Sequence, residues 1–202
     1  MNHPSLEERR KFWLRHYSQE CFQTVMKGCE YSLRNAESID ERVFRVLSAG
    51  LIATYAKPFT KCHGVGCMDE KLIPVKYLKV HRNLMDLRHK TVAHLDALNF
   101  HADETEIGNL NQIRLKSTKF GYEIIGFVLP LNILEIQEMK TLVAILIEKT
   151  AYQLDKFTKR YVTINPLKPG EYIVNIDPHK PELFLPTKPI AEIIKVTGPV
   201  SS

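Results

Sequence analysis

At 202 residues, with 44% hydrophobic and 25% charged side chains, the chain has the composition of one globular domain with enough apolar content to build a core. No apolar run approaches the roughly 18 residues a membrane helix needs, and the charged opening MNHPSLEERRKFWLRHYSQE lacks the form of a secretory leader. The net charge of +5 is too small to announce a nucleic-acid protein by itself, and four cysteines (Cys21, Cys29, Cys62, Cys67) are too few for a disulfide scaffold. Reduced thiols, a cytoplasmic location and no membrane partner are therefore expected.

In chain order, the first element is a long helix. Ser5 and Glu8 form a capping box, and Leu14, Tyr17, Cys21, Val25 and Cys29 follow at steps of three and four. A second capping box, Ser38 with Glu41, opens a helix carrying Val43, Leu47, Leu51 and Ile52 until Pro58 stops it. The glycine-rich loop PFTKCHGVGCMDEKLI leads to Pro74, which suits the first turn of a third helix, about Pro74 to Leu98. That helix has two apolar stripes, Tyr77, Val80, Leu84, Leu87 and Leu95 on one side and Leu78, Met85 and Val92 on the other, with His81 and Arg88 projecting between them.

After the acidic loop HADETEIGN, the pattern becomes β-branched and aromatic around Gly121, which predicts a hairpin at about 111–118 and 121–129. Residues 131–160 return to helix, with Ile136, Leu142, Val143, Leu146, Ala151 and Leu154 facing the core. The remainder holds seven of the eleven prolines and one expected strand, Glu171 to Asp177, and reads as an extended arm. The expected architecture is thus mainly α: an antiparallel bundle of about four helices over residues 1–160, a hairpin inserted at about 111–129, and a proline-rich arm over 161–202.

Chemistry concentrates on the third helix. Between residues 76 and 90 stand five basic residues (Lys76, Lys79, Arg82, Arg88, Lys90) against Asp86 alone, enough to attract anions. An arginine inside an apolar arc costs several kcal/mol, as an order of magnitude, unless a partner or a wet cleft receives it. Arg88 therefore faces a cleft, an interface or a buried carboxylate. His94 lies six residues further on, which on a straight helix is about 120° away, so one copy of each cannot meet.

The segment LRHKTVAHLD, with Arg88, His89 behind it and His94 after a short gap, resembles the motif of the HEPN superfamily, helical-bundle domains common among toxin and phage-defence ribonucleases. The resemblance spans roughly residues 5–160; the hairpin and the arm fall outside it. It implies a homodimer about a two-fold axis whose motif helices line a shared cleft, so that two copies of Arg88 and His94 converge. It implies metal-independent RNA cleavage with Arg88 and His94 as catalytic residues, no cofactor, and an antitoxin protein as a further partner. His81, Arg82, His89 and Lys90 are the accompanying candidates for phosphate contact.

Other readings of the same residues stand beside this one. Arg88 suits a structural ion pair, His94 a helix cap or a bond to Asp96, and His89 and Lys90 a solvated face. A binding and dimerisation module for a nucleotide or protein partner would use the same cleft without chemistry. Cys62, His63 and Cys67 fall within six positions, but a structural zinc site wants four ligands and no second pair accompanies them, so no metal is expected.

Overall fold

Among the described residues four α-helices stand in chain order, and side-chain caps mark the start of three of them. In the computed structural model, which describes residues 4–89, 114–119, 121–125, 131–163, 172–174, 176–177 and 184–186, α1 runs Leu6–Arg34. The Ser5 hydroxyl accepts from the Glu8 amide at 3.3 Å and the Glu8 carboxylate accepts from the Ser5 amide at 2.9 Å. The last helix, α4 (Ile133–Thr158), opens with the same device built from Asn132 and Glu135. Between them stand α2 (Glu41–Ala56) and α3 (Leu78–Leu87). The described chain is mainly helical, and among the described residues no helix is long and apolar enough to cross a membrane.

Packing follows the three- and four-residue steps. Leu14, Ser18, Cys21, Phe22, Val25, Cys29 and Ser32 form the buried stripe of α1, and the two serines stay satisfied by donating to the carbonyls of Leu14 (2.6 Å) and Gly28 (3.0 Å) one turn back. α4 runs antiparallel to α1: Phe12 stacks on Phe157 at 4.2 Å between ring centroids, and Arg15 donates to Gln153 at 2.6 Å. A π-helical turn, Lys159–Thr163, then brings Tyr161 back to donate to Glu8 at 2.5 Å. α2 is antiparallel to α1 on another side, with Phe22 against Tyr55 and Phe59. It comes so close at Gly28 that an added Cβ would lie 2.5 Å from Leu51 Cδ2.

The shared core of Phe22, Val25, Ile52, Tyr55, Ile136, Met139, Leu142 and Val143 is fully buried. At about 1.5–3 kcal/mol for each fully buried aliphatic or aromatic side chain, it is the main favourable term in folding.

Several local expectations are corrected. Asp40, not Ser38, caps α2, its carboxylate accepting from the amides of Arg42 (2.8 Å) and Val43 (3.2 Å); Ser38 belongs to the turn that closes α1. The buried face of α2 is Phe44, Ser48, Leu51, Ile52 and Tyr55, which leaves Val43 52% exposed. The second helix does end just before Pro58, at Ala56, and the chain there tightens into a 3-10 turn, Lys57–Phe59, that keeps Pro58 buried. Pro74 likewise caps a 3-10 turn, Val75–Tyr77, and α3 starts four residues later than Pro74, at Leu78.

Beyond the helices, β1 (Arg114–Thr118) pairs antiparallel with β2 (Gly121–Ile125), in register from Arg114↔Ile125 to Thr118↔Gly121. In the arm, β3 (Tyr172–Val174) pairs with β4 (Phe184–Pro186), so the segment expected as one strand has a partner that its proline-rich surroundings concealed.

α3 is fixed against α2 by one polar contact inside the apolar core. The Tyr55 hydroxyl and His81 Nδ1 lie 2.8 Å apart, with Tyr55 0% and His81 4% exposed, and the Phe59 ring meets the imidazole edge-on at 4.6 Å. Burial pushes the His81 imidazole below its ordinary pKa and holds it neutral. Tyr55→Phe leaves the buried Nδ1 without its partner and is expected to lower the unfolding free energy by about 1–3 kcal/mol in urea titrations. An unchanged midpoint would show that this bond does not hold α3.

A second prediction concerns acid. The Tyr161 hydroxyl first, then the Ser5 amide and hydroxyl, lower the Glu8 pKa from the usual 4.5 to about 2. A carboxyl depressed in the folded state contributes stability above its unfolded value, and that contribution fades as pH falls toward the folded one. Tyr161→Phe is therefore expected to be less stable than the parent at pH 7, with the gap closing as the pH is lowered from 4.5 toward 2 in thermal melts.

Candidate functional site

Seven residues separate His81 from Arg88, close to two full turns, so both project from the same side of the third helix. His81 goes into the core. Arg88, which keeps helical dihedrals (φ −59°, ψ −46°) just past the end of α3, emerges half-buried at the wall of a cleft of about 540 Å³. Trp13, Leu14 and Tyr17 of α1 form one wall, Ala53 of α2 and Lys57 a second, and Thr60, Lys61, Cys62 and Gly66 of the following loop the rim.

Local sequence explains each wall. Trp13 and Tyr17 are one turn apart, which stacks their rings nearly parallel, 5.2 Å between centroids and 8° between planes. Lys57 and Lys61 flank the tight turn around Pro58. The rim is a small hairpin in which Cys62 and Gly66 exchange both backbone hydrogen bonds at 2.9 Å. It closes because Gly64 and Gly66 take φ of +81° and +92°, a region that side chains with a Cβ rarely enter.

The electrostatics are one-sided. Lys57, Lys61 and Arg88 line the cleft, and among its described lining residues there is no carboxylate. Leu14 is a shared wall with a second recess of about 330 Å³ where Lys11, Arg15 and Lys71 outnumber Asp69, so positive charge continues along α1. The cleft can neutralise an anion and offers a planar apolar surface beside it.

The sequence-predicted residues fall in different places. Arg88 is in the cleft, with its Nη1 3.1 Å from Nδ1 of the exposed His89. Arg82 is on another side of α3, exposed and ion-paired with Glu70 at 3.0 Å, which lowers the Glu70 pKa. His81 is corrected from a phosphate contact to a core residue: its ring is buried and its Nδ1 is engaged by Tyr55. Lys90 and His94 lie outside the described residues.

Sequence reasoning missed Trp13, Tyr17, Lys57 and Lys61. Two signals were present: the only tryptophan of the chain one turn from a tyrosine, and two lysines four positions apart across a proline. Neither is decisive without knowing that α1 and the end of α2 meet there. Among the described residues no group of three histidine, cysteine or acidic side chains converges as a metal site would require. Comparison with models of known families, with curated proteins and with solved structures found no match.

The thiols divide by position. Cys62 and Cys67 are exposed at the rim loop, whereas Cys21 and Cys29 are buried in α1, where desolvation raises the Cys29 thiol to about 12. A thiol-reactive chromogen is expected to titrate the two rim cysteines rapidly in the native protein and the α1 pair only on unfolding. Rapid reaction of all four would mean that the α1 stripe is not the core.

Proposed function

We propose that the protein is a HEPN-type endoribonuclease, dimeric and independent of metal, with an antitoxin partner in a toxin or phage-defence setting. The observation that supports it best is Arg88: an arginine from an otherwise apolar helical face lines a cleft with two lysines and, among the described lining residues, no carboxylate. In this reading two copies pair about a two-fold axis, helix three of each facing the other within an antiparallel bundle, so that both Arg88 and both His94 reach one RNA strand.

The chemistry needs only these groups. Neutral His94 takes the proton of a ribose 2′-hydroxyl; the oxygen attacks the adjacent phosphorus, the bond to the 5′-oxygen breaks, and a protonated His94 from the other copy supplies that oxygen with a proton. The products are a 2′,3′-cyclic phosphate and a free 5′-hydroxyl. The Arg88 guanidinium holds the phosphate and offsets charge on the pentavalent transition state, where one well-aimed donor is worth on the order of 3 kcal/mol.

A second reading, a binding module for a nucleotide or protein partner, has one observation in its favour. The cations and aromatic rings that line the cleft suit the binding of a flat anion without any chemical step.

The two readings separate in a chelator-treated assay on mixed single-stranded RNA, scored for cyclic phosphate ends. His94→Ala is expected to cut at least about 100-fold more slowly because alanine cannot relay a proton. Arg88→Lys is expected to lose roughly 100-fold, since lysine keeps the charge without the planar fork. Both variants should melt like the parent and remain dimeric by light scattering. Equal cutting by parent and His94→Ala overturns the nuclease, and a protein that is only monomeric at tens of micromolar removes the composite site.

A further inference from the structure

We propose that the Trp13–Tyr17 ring pair is a stacking platform for an unpaired nucleobase, with the adjoining phosphates on Lys57, Lys61 and Arg88. This deepens the reading of the cleft as a nucleic-acid site but does not depend on cleavage. The chain has one tryptophan, and it is spent on a half-buried position at a cleft wall and not in the core of Phe22, Tyr55 and Phe59. A tryptophan offers some 150–250 Å² of surface that favours burial. Here it is pre-stacked by Tyr17 into a rigid two-ring surface, beside three cations.

The ligand that satisfies both features carries a flat π-face and a negative charge a few bonds away. A base within a duplex hides that face between its neighbours, whereas a base in a single strand presents it. An acidic peptide would answer the cations and leave the rings bare. The cleft volume of about 540 Å³ suits a single small planar guest, and the recess beyond Leu14, with Arg15 and Lys71, takes the strand onward.

The lone tryptophan makes the contact directly visible. The native protein is titrated with a 2′-O-methyl RNA octamer, which cannot undergo 2′-hydroxyl attack, following Trp13 emission and, separately, the anisotropy of a labelled copy. An abasic octamer of equal charge, the same octamer annealed to its complement, and heparin are run in parallel. The single-stranded octamer is expected to quench emission saturably, while the abasic strand, the duplex and heparin leave it nearly unchanged. Trp13→Leu is expected to weaken octamer binding roughly 10- to 100-fold with little effect on the abasic strand, and Lys61→Gln to weaken both alike.

The proposal is overturned if the abasic strand or heparin quenches as the octamer does, or if Trp13→Leu binds the octamer like the parent. Should Trp13→Leu lose its helical circular dichroism, the quenching of the parent by the four ligands decides. Absence of cleavage in the separate assay on mixed, unmodified single-stranded RNA, with quenching intact here, rejects the nuclease and leaves the platform standing. Cleavage without quenching rejects the platform alone.

Discussion

The place of Arg88 at the cleft depends on how α3 is rotated about its own axis, and the contact between the Tyr55 hydroxyl and His81 Nδ1 holds that rotation. Apolar packing alone tolerates a helix sliding or turning by part of a residue, because dispersion and burial have no direction. A hydrogen bond of 2.8 Å between two buried side chains does not, since an unpaired polar atom there costs about 1–3 kcal/mol. With His81 pinned between Tyr55 and Phe59, the residue two turns further on must emerge on the same side, and that residue is Arg88. The histidine expected from the sequence as a phosphate contact thus acts as the peg that aims the arginine.

The cleft combines surfaces that the rest of the protein keeps apart. Several charged side chains elsewhere are neutralised close to home: Lys11 with Glu7, Arg45 with Glu41, Arg82 with Glu70, and Lys159 with Asp155. Among the described residues, no ion pair involves Lys57, Lys61 or Arg88. Like charges grouped around a wet recess repel one another, and the repulsion is relieved when an anion enters. The same grouping of cations is what the proposed nucleic-acid reading of the recess rests on. The half-covered rings of Trp13 and Tyr17 add a requirement of shape to that of sign.

Much of the helical framework was legible in the sequence because it is local. The capping box of Ser5 and Glu8, the three- and four-residue spacing from Leu14 to Cys29, and the run from Ile136 to Leu146 are short-range patterns, and the backbone hydrogen bonds they favour are themselves short-range. Where local signals compete, the packed arrangement decides between them. Ser38 and Asp40 are both good caps, and Asp40 prevailed because its carboxylate reaches the amides of Arg42 and Val43 while Ser38 is drawn into the turn after α1. Leu51 and Ile52 of α2 are buried as expected, but at its start valine and phenylalanine are both apolar at positions 43 and 44, and only the neighbouring helices select Phe44 over Val43.

What the sequence by itself determined is a mainly helical chain, and an arginine at residue 88 whose place among apolar neighbours demanded a cleft or a partner. What only tertiary structure decided is which residues share that cleft. Trp13, Lys57 and Arg88 come from three separate segments, and no spacing rule connects positions so far apart. His81 and Arg88 are both polar groups on one helical face, yet Tyr55 draws the first into the core while the gap between α1, the end of α2 and the rim loop leaves the second in contact with solvent. The difference is made by the surfaces that face them, because burial is a property of the packed arrangement and not of a residue.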